Sequence, residues 1–138
     1  MAERIQTTRE VKPWRRVPPS WIGSEEEYAI YWAHSALNLT EGVDFTYQEP
    51  VAGGRLFLGG AVIDFFEIDV NIAIRVMGRY FHAYAGFDQN ASDHAQKISL
   101  ESLGIKVIDI AGEYALTIPI EVLYDARRGV ERIRTRGQ

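Results

Sequence analysis

The chain has 138 residues, 46% of them hydrophobic and 25% charged, which suits one domain with a real core and leaves too little for two comfortable ones. It has no cysteine, which excludes a disulfide framework and a thiolate metal site. No apolar run approaches the roughly 18 residues of a membrane span, so no membrane partner is expected.

Residues 1–23 carry Arg4, Arg9, Lys12, Arg15 and Arg16 against Glu3 and Glu10. Pro13, Pro18 and Pro19 fix φ and discourage helix, so an extended basic arm is predicted. The stretch lacks the apolar region of a secretion signal, and a cytoplasmic or virion-associated setting is expected. Trp14 and Trp21 are costly to leave in water, which predicts that the arm docks onto the domain or a partner.

The domain itself is expected over residues 24–125. Ser24 followed by Glu27 is a capping-box signature, and Glu25 and Glu26 favour the positive end of a helix dipole. Tyr28, Tyr31, Trp32, Ser35 and Leu39 keep a helical spacing that ends near 38–42. Val43–Pro50 alternates as a strand, and Gly53-Gly54 signals a hairpin. Leu56–Phe66 reads as a second strand, Glu67–Val70 as a turn and Ile72–Met77 as a third strand. Phe87–Leu103 reads as a helix with Ala91, Ala95, Ile98 and Leu103 facing the core and Gly104 as its C-cap. Ile105–Ile110 has the continuous apolar character of a buried parallel strand. Pro119 opens a last helix running to about Arg128. The predicted fold class is α/β, with a mixed four-stranded sheet and helices on both faces.

Residues 126–138 form a second basic arm, with Arg127, Arg128, Arg132, Arg134 and Arg136 against Glu131. Residues 24–125 hold 5 basic and 16 acidic side chains, so any nucleic-acid grip must come from the arms, with Trp14, Arg15, Arg16, Trp21, Arg127, Arg128, Arg132 and Arg134 as its candidate residues.

One carboxylate, Asp64, stands late in an otherwise apolar strand. Gly78 and the Phe81-His82 pair follow the next strand. Gln96-Lys97 and the run Leu100-Glu101-Ser102-Leu103-Gly104-Ile105-Lys106-Val107-Ile108 come after. In this order the chain resembles the PD-(D/E)XK nuclease superfamily, nearest the very-short-patch repair (Vsr) endonuclease branch, over about residues 24–116. The resemblance implies a restriction-endonuclease-like core in which Asp64 is a metal ligand and His82 a base. The general superfamily site has an acid at the position of Arg75 and a lysine at that of Met77. The Vsr branch uses one Asp, a backbone carbonyl at the position of Val76, and histidines at the positions of Met77 and His82.

An arginine cannot ligate a cation, and a methionine cannot activate water. Asp64 is therefore expected to pair with Arg75, a counter-charge in place of metal. Glu25, Glu26 and Glu27 are expected as helix caps, with Glu27 as the further metal ligand if the site works. Lys97 is expected as an exposed helix lysine, or as a migrated catalytic lysine in a working site. His34 and His94 have no partner at metal-ligand spacing.

The leading expectation is a non-catalytic nuclease-fold subunit of a larger assembly, such as a phage virion or assembly component. It would need no cofactor and would strap onto protein partners or its own copies through its arms. The second is a Mg²⁺-dependent DNA endonuclease using Asp64, Glu27, His82 and Lys97. The third is a pseudo-nuclease that binds DNA.

Overall fold

The structure is a computed structural model, and it describes residues 11–48, 63–77, 95 and 97–132. Ser24 starts the first helix: its hydroxyl accepts the Glu27 N–H at 3.0 Å, and α1 runs over Glu25–Ala36. Asn38, in the left-handed region at φ 63°, turns the chain away from α1. Strand β1 is Phe45–Tyr47, β2 is Phe65–Glu67, β3 is Ile72–Met77 and β4 is Lys106–Ala111. They form one mixed sheet in the order β1-β2-β3-β4. The first two pairings are antiparallel, and β4 runs parallel to β3.

A parallel step needs a crossover, and helical residues 97–102 lie within it. Gly104 ends that turn at φ +84°, where a side chain would be strained. After β4 come α2, Gly112–Thr117, and α3, Pro119–Arg127, with Pro119 at a first-turn position as expected. The sequence reading had no counterpart for α2. It also assigned Glu67 to a turn, whereas Glu67 closes β2 and is fully buried. The hairpin signal at 53–54 and most of the predicted strand 56–66 lie outside the described residues.

Alternation along the strands divides the core into two layers. Phe45, Phe65, Ile74, Ile108 and Ile110 pack against Ile30 and Ala33 of α1, Ala115 of α2 and Val122, Leu123 and Ala126 of α3. On the opposite face, Ala73 and Val107 pack with Ile63, Leu100 and Ile105. Helices therefore cover both faces, as the sequence predicts. The crossover helix corrects one detail, because it buries Leu100 while Ile98 and Leu103 remain 54% and 51% exposed and Ala95 is exposed. Two residues along a helix is a 200° rotation, which puts Ile98 nearly opposite Leu100; Leu103 lies beyond the helical residues.

The N-terminal arm docks onto the domain. A 3₁₀ turn at Pro13–Arg15 brings Trp14 Nε1 to donate to the Leu116 carbonyl at 2.6 Å, its ring 5.1 Å from that of Trp32. Trp21 Nε1 donates to the Ser24 carbonyl at 2.9 Å, and its indole stacks on Tyr47 at 5.0 Å.

The C-terminal stretch departs from the expected basic arm. The boundary at 126 falls inside α3, and Arg132 bridges to Ile110, accepting the Ala111 N–H at 2.9 Å. Arg127 donates to Glu67 and forks onto Asp69 at 2.7 and 2.8 Å. Glu67 in turn meets His34 Nε2 at 2.8 Å, and His34 Nδ1 lies 2.9 Å from the Ile30 carbonyl. Arg128 and Arg132 both pair with Asp125. Arg127 is committed to the fold, because a buried Glu67 needs a counter-charge, and Arg128 and Arg132 are spent on Asp125. Arg134 lies outside the described residues.

Candidate functional site

Asp64, Arg75 and Asp109 fall in one row across the sheet. Arg75 is register-paired with Asp109, and Phe65 with Ile74, so one step further puts Asp64 opposite Arg75. The Gln48 N–H donates to the Asp64 carbonyl at 2.7 Å and carries the row to β1. At the other side the Asp109 N–H donates to Glu131 Oε2 at 3.2 Å.

Arg75 does not take the role expected of it. Its Nε and Nη2 fork onto Asp109 Oδ1 and Oδ2 at 2.7 and 3.0 Å. Asp109 is the direct neighbour in the parallel ladder, and a guanidinium matches one carboxylate bidentately better than it bridges two. Asp64 feels Arg75 only as a weak charge effect. The expected Asp64–Arg75 pair is thus replaced by an Arg75–Asp109 pair.

Asp64 meets Glu27 instead. Burial pushes the Asp64 carboxyl up to about 7, and the charge of Glu27 and a side-chain hydrogen bond to it add to the rise. The Val76 N–H, donating to Asp64 Oδ2 at 2.7 Å, pulls the other way without cancelling it. At that point the Asp64 side chain supplies the acceptor that a paired strand would otherwise offer Val76. The Val76 carbonyl points to the same side of β3 as its N–H.

Glu27 is more than a cap. Its N–H bonds to Ser24, but its Oε1 accepts the Tyr47 hydroxyl at 2.6 Å and the Gln48 side-chain amide at 3.3 Å. Burial and the bond to Glu27 both raise the Tyr47 phenol well above its ordinary range. Gln48 holds a left-handed φ of 57°, the kind of local strain that recurs at functional sites. It touches both acids, Asp64 through its backbone and Glu27 through its side chain. Gly23 closes the site from the arm: a Cβ there would lie 2.2 Å from Tyr47 Oη and 2.6 Å from Glu27 Oε1.

Lys97 corrects a further expectation. It is half-buried rather than exposed, with Nζ 3.2 Å from both Asp109 and Glu131. Burial lowers its pKa, but the two acids more than offset that and the net shift is upward. Lys97 and Arg75 therefore neutralise Asp109 and Glu131, while among the described residues the Glu27 and Asp64 carboxylates are bonded by neutral donors and by no cation. Met77 ends β3 in register with Ala111. His82, Gly78 and His94 lie outside the described residues.

Sequence reasoning singled out Glu27, Asp64, Arg75 and Lys97 and missed Asp109, Glu131, Tyr47 and Gln48 as their partners. The signal for Asp109 was present: like Asp64, it is a lone acid in an apolar strand. Among the described residues no three His, Asp or Glu side chains converge as a metal cluster. Magnesium needs fewer, since it is commonly held by one or two carboxylates together with water and substrate phosphates. The hard oxygens of Glu27 and Asp64 fit that requirement, whereas the Asp109 carboxylate is filled by Arg75 and Lys97. No protein-family model, curated protein or solved structure matches the chain.

Proposed function

We propose that the chain is a divalent-cation-dependent nuclease of the PD-(D/E)XK kind, nearest the Vsr branch, acting on the phosphodiester backbone of DNA. The observation that carries this reading is the Glu27–Asp64 carboxyl pair, two acids held together with no cation bonded to either carboxylate among the described residues. Two such groups strain against each other unless a proton or a cation lies between them. A cation seated there supplies Lewis-acid polarisation of the phosphate and a more acidic water. Glu27 and Asp64 would hold it, with the Val76 carbonyl facing the same gap. Tyr47 and Gln48 fix the orientation of Glu27. Arg75 and Lys97, neutralised by Asp109 and Glu131, keep the middle of the row from adding repulsion.

A nicking assay with Mg²⁺ or Mn²⁺ on supercoiled and linear DNA tests the reading. Cation-dependent cleavage that Asp64→Ala abolishes supports it; equal cleavage, or none, with both proteins contradicts it.

Met77 favours a second reading. It stands where the superfamily has a lysine and the Vsr branch a histidine, and it can neither ligate a hard cation nor move a proton. On that reading the same fold is a non-catalytic structural or DNA-binding subunit, such as a phage assembly component. Absence of cleavage together with stoichiometric incorporation into a larger particle would favour it.

A further inference from the structure

The chain is acidic overall, and the structure commits most of its described cations to carboxylates. Arg75 and Lys97 pair with Asp109, Arg127 with Glu67 and Asp69, and Arg128 and Arg132 with Asp125. Among the described residues Lys12, Arg15, Arg16 and Lys106 have no carboxylate partner, and all four are exposed. Three of them fall within five residues of the N-terminal arm.

That arm is held at both ends. Trp14 anchors it on Leu116 and Trp32, and Trp21 anchors it on Ser24 and Tyr47. Arg15 and Arg16 lie between the anchors, and Lys12 sits over the Trp14 ring at 5.9 Å. Cations on a pinned backbone lose less entropy on binding than cations on a free tail. The far end of the arm, at Gly23, abuts Glu27 and Tyr47.

We infer that Lys12, Arg15 and Arg16 form a pre-organised phosphate-binding strip, which grips a nucleic-acid backbone and leads it to the Glu27–Asp64 pair. The assignment of nucleic acid rather than an acidic protein rests on the nuclease reading of that pair. It gives the two tryptophans the role of anchors rather than base contacts. It also separates the two basic ends of the chain: the N-terminal strip binds, while Arg127, Arg128 and Arg132 hold the fold.

The test is fluorescence anisotropy of the full chain with a labelled duplex and its single strand, in EDTA, across a salt series. Each duplex phosphate neutralised contributes about −0.9 to the slope of log K against log salt, so Lys12→Gln/Arg15→Gln/Arg16→Gln should flatten it by about 2–3. The control Arg128→Gln/Arg132→Gln should leave the slope unchanged. Trp14→Ala, which frees the arm but keeps its charges, should weaken binding with little change in slope. Unchanged circular dichroism confirms that each variant folds.

A triple variant that binds with the wild-type slope overturns the inference, as does a wild type that binds neither duplex nor single strand. Binding to polyglutamate-like acidic peptide but not DNA would reassign the strip to an acidic protein and also overturn it. Since the binding test is run in EDTA it does not depend on cleavage, and arm-dependent binding together with no cleavage in the separate Mg²⁺ assay would leave the strip standing and count against the nuclease reading.

Discussion

At the scale of single residues, Asp64 carries the sharpest consequence. Its carboxyl stands at about 7 in the folded chain, against an ordinary value of 3.8. Between those values the folded state holds a proton that the unfolded chain has released. Stability therefore falls as pH rises through that window, and the full cost persists above it. Asp64→Asn cannot ionise yet still offers an oxygen to the Val76 N–H. The variant should match wild type near pH 4 and exceed it at pH 8, by about 2 kcal/mol once solvent screening is allowed for. Urea unfolding at the two pH values measures this, and an equal effect at both would refute the raised carboxyl.

Two other side chains give predictions of opposite kinds. Tyr47→Phe removes only the hydroxyl that holds Glu27 Oε1. Partners of metal ligands are commonly worth 10–100-fold in affinity, so a calorimetric Mn²⁺ titration should weaken by about that factor. In a Glu27→Gln background the same change should have little effect, since the bond it removes would already have lost its charged partner. Arg127→Met instead leaves Glu67, a fully buried acid, with His34 as its remaining partner, and should cost about 3 kcal/mol of stability. Its effect on cation binding should be small, because that cluster sits on α3 and the β2–β3 turn.

At the scale of elements, the arm is the part that the sequence described best and least at once. Pro13, Trp14 and Trp21 foretold an arm that docks, and it does. Trp14→Ala should cost about 2 kcal/mol or more, as expected for a half-buried aromatic, and should speed proteolysis near residue 14. Wild-type cleavage kinetics in the variant would show that the docking contributes nothing. α1, β3, β4 and α3 were legible because each has a local cause: a Ser24 cap, an apolar run in each of the two strands, and Pro119.

What the sequence could not show is where elements meet. Asp64 and Arg75 sit in facing strands, and a one-dimensional reading pairs them. Only the parallel register of β3 with β4 reveals Asp109 as the better partner. Glu27 looked like a cap because Ser24 precedes it, and it does cap through its N–H. That its carboxylate reaches Tyr47, Gln48 and Asp64 depends on how α1 packs against the sheet. Arg127 and Arg132 looked like a solvated tail because the buried charge of Glu67 and the bridge to Ile110 are tertiary facts.

At the scale of the whole molecule, charge is divided by use. Acids dominate the domain, its described cations are mostly spent within it, and the N-terminal arm keeps three exposed cations and ends at Gly23 against Glu27. That division suits a protein that brings a polyanion and a divalent cation to one place. The proposed function requires that Glu27 and Asp64 hold that cation. The most direct measurement is the unfolding free energy at pH 7.5 with and without Mg²⁺, for wild type and Asp64→Asn. A ligand at about one hundred times its Kd adds about 2.7 kcal/mol to the folded state. A gain of that order is expected in wild type and none in Asp64→Asn. Equal stabilisation of the two proteins, or none in either, would contradict the proposed function.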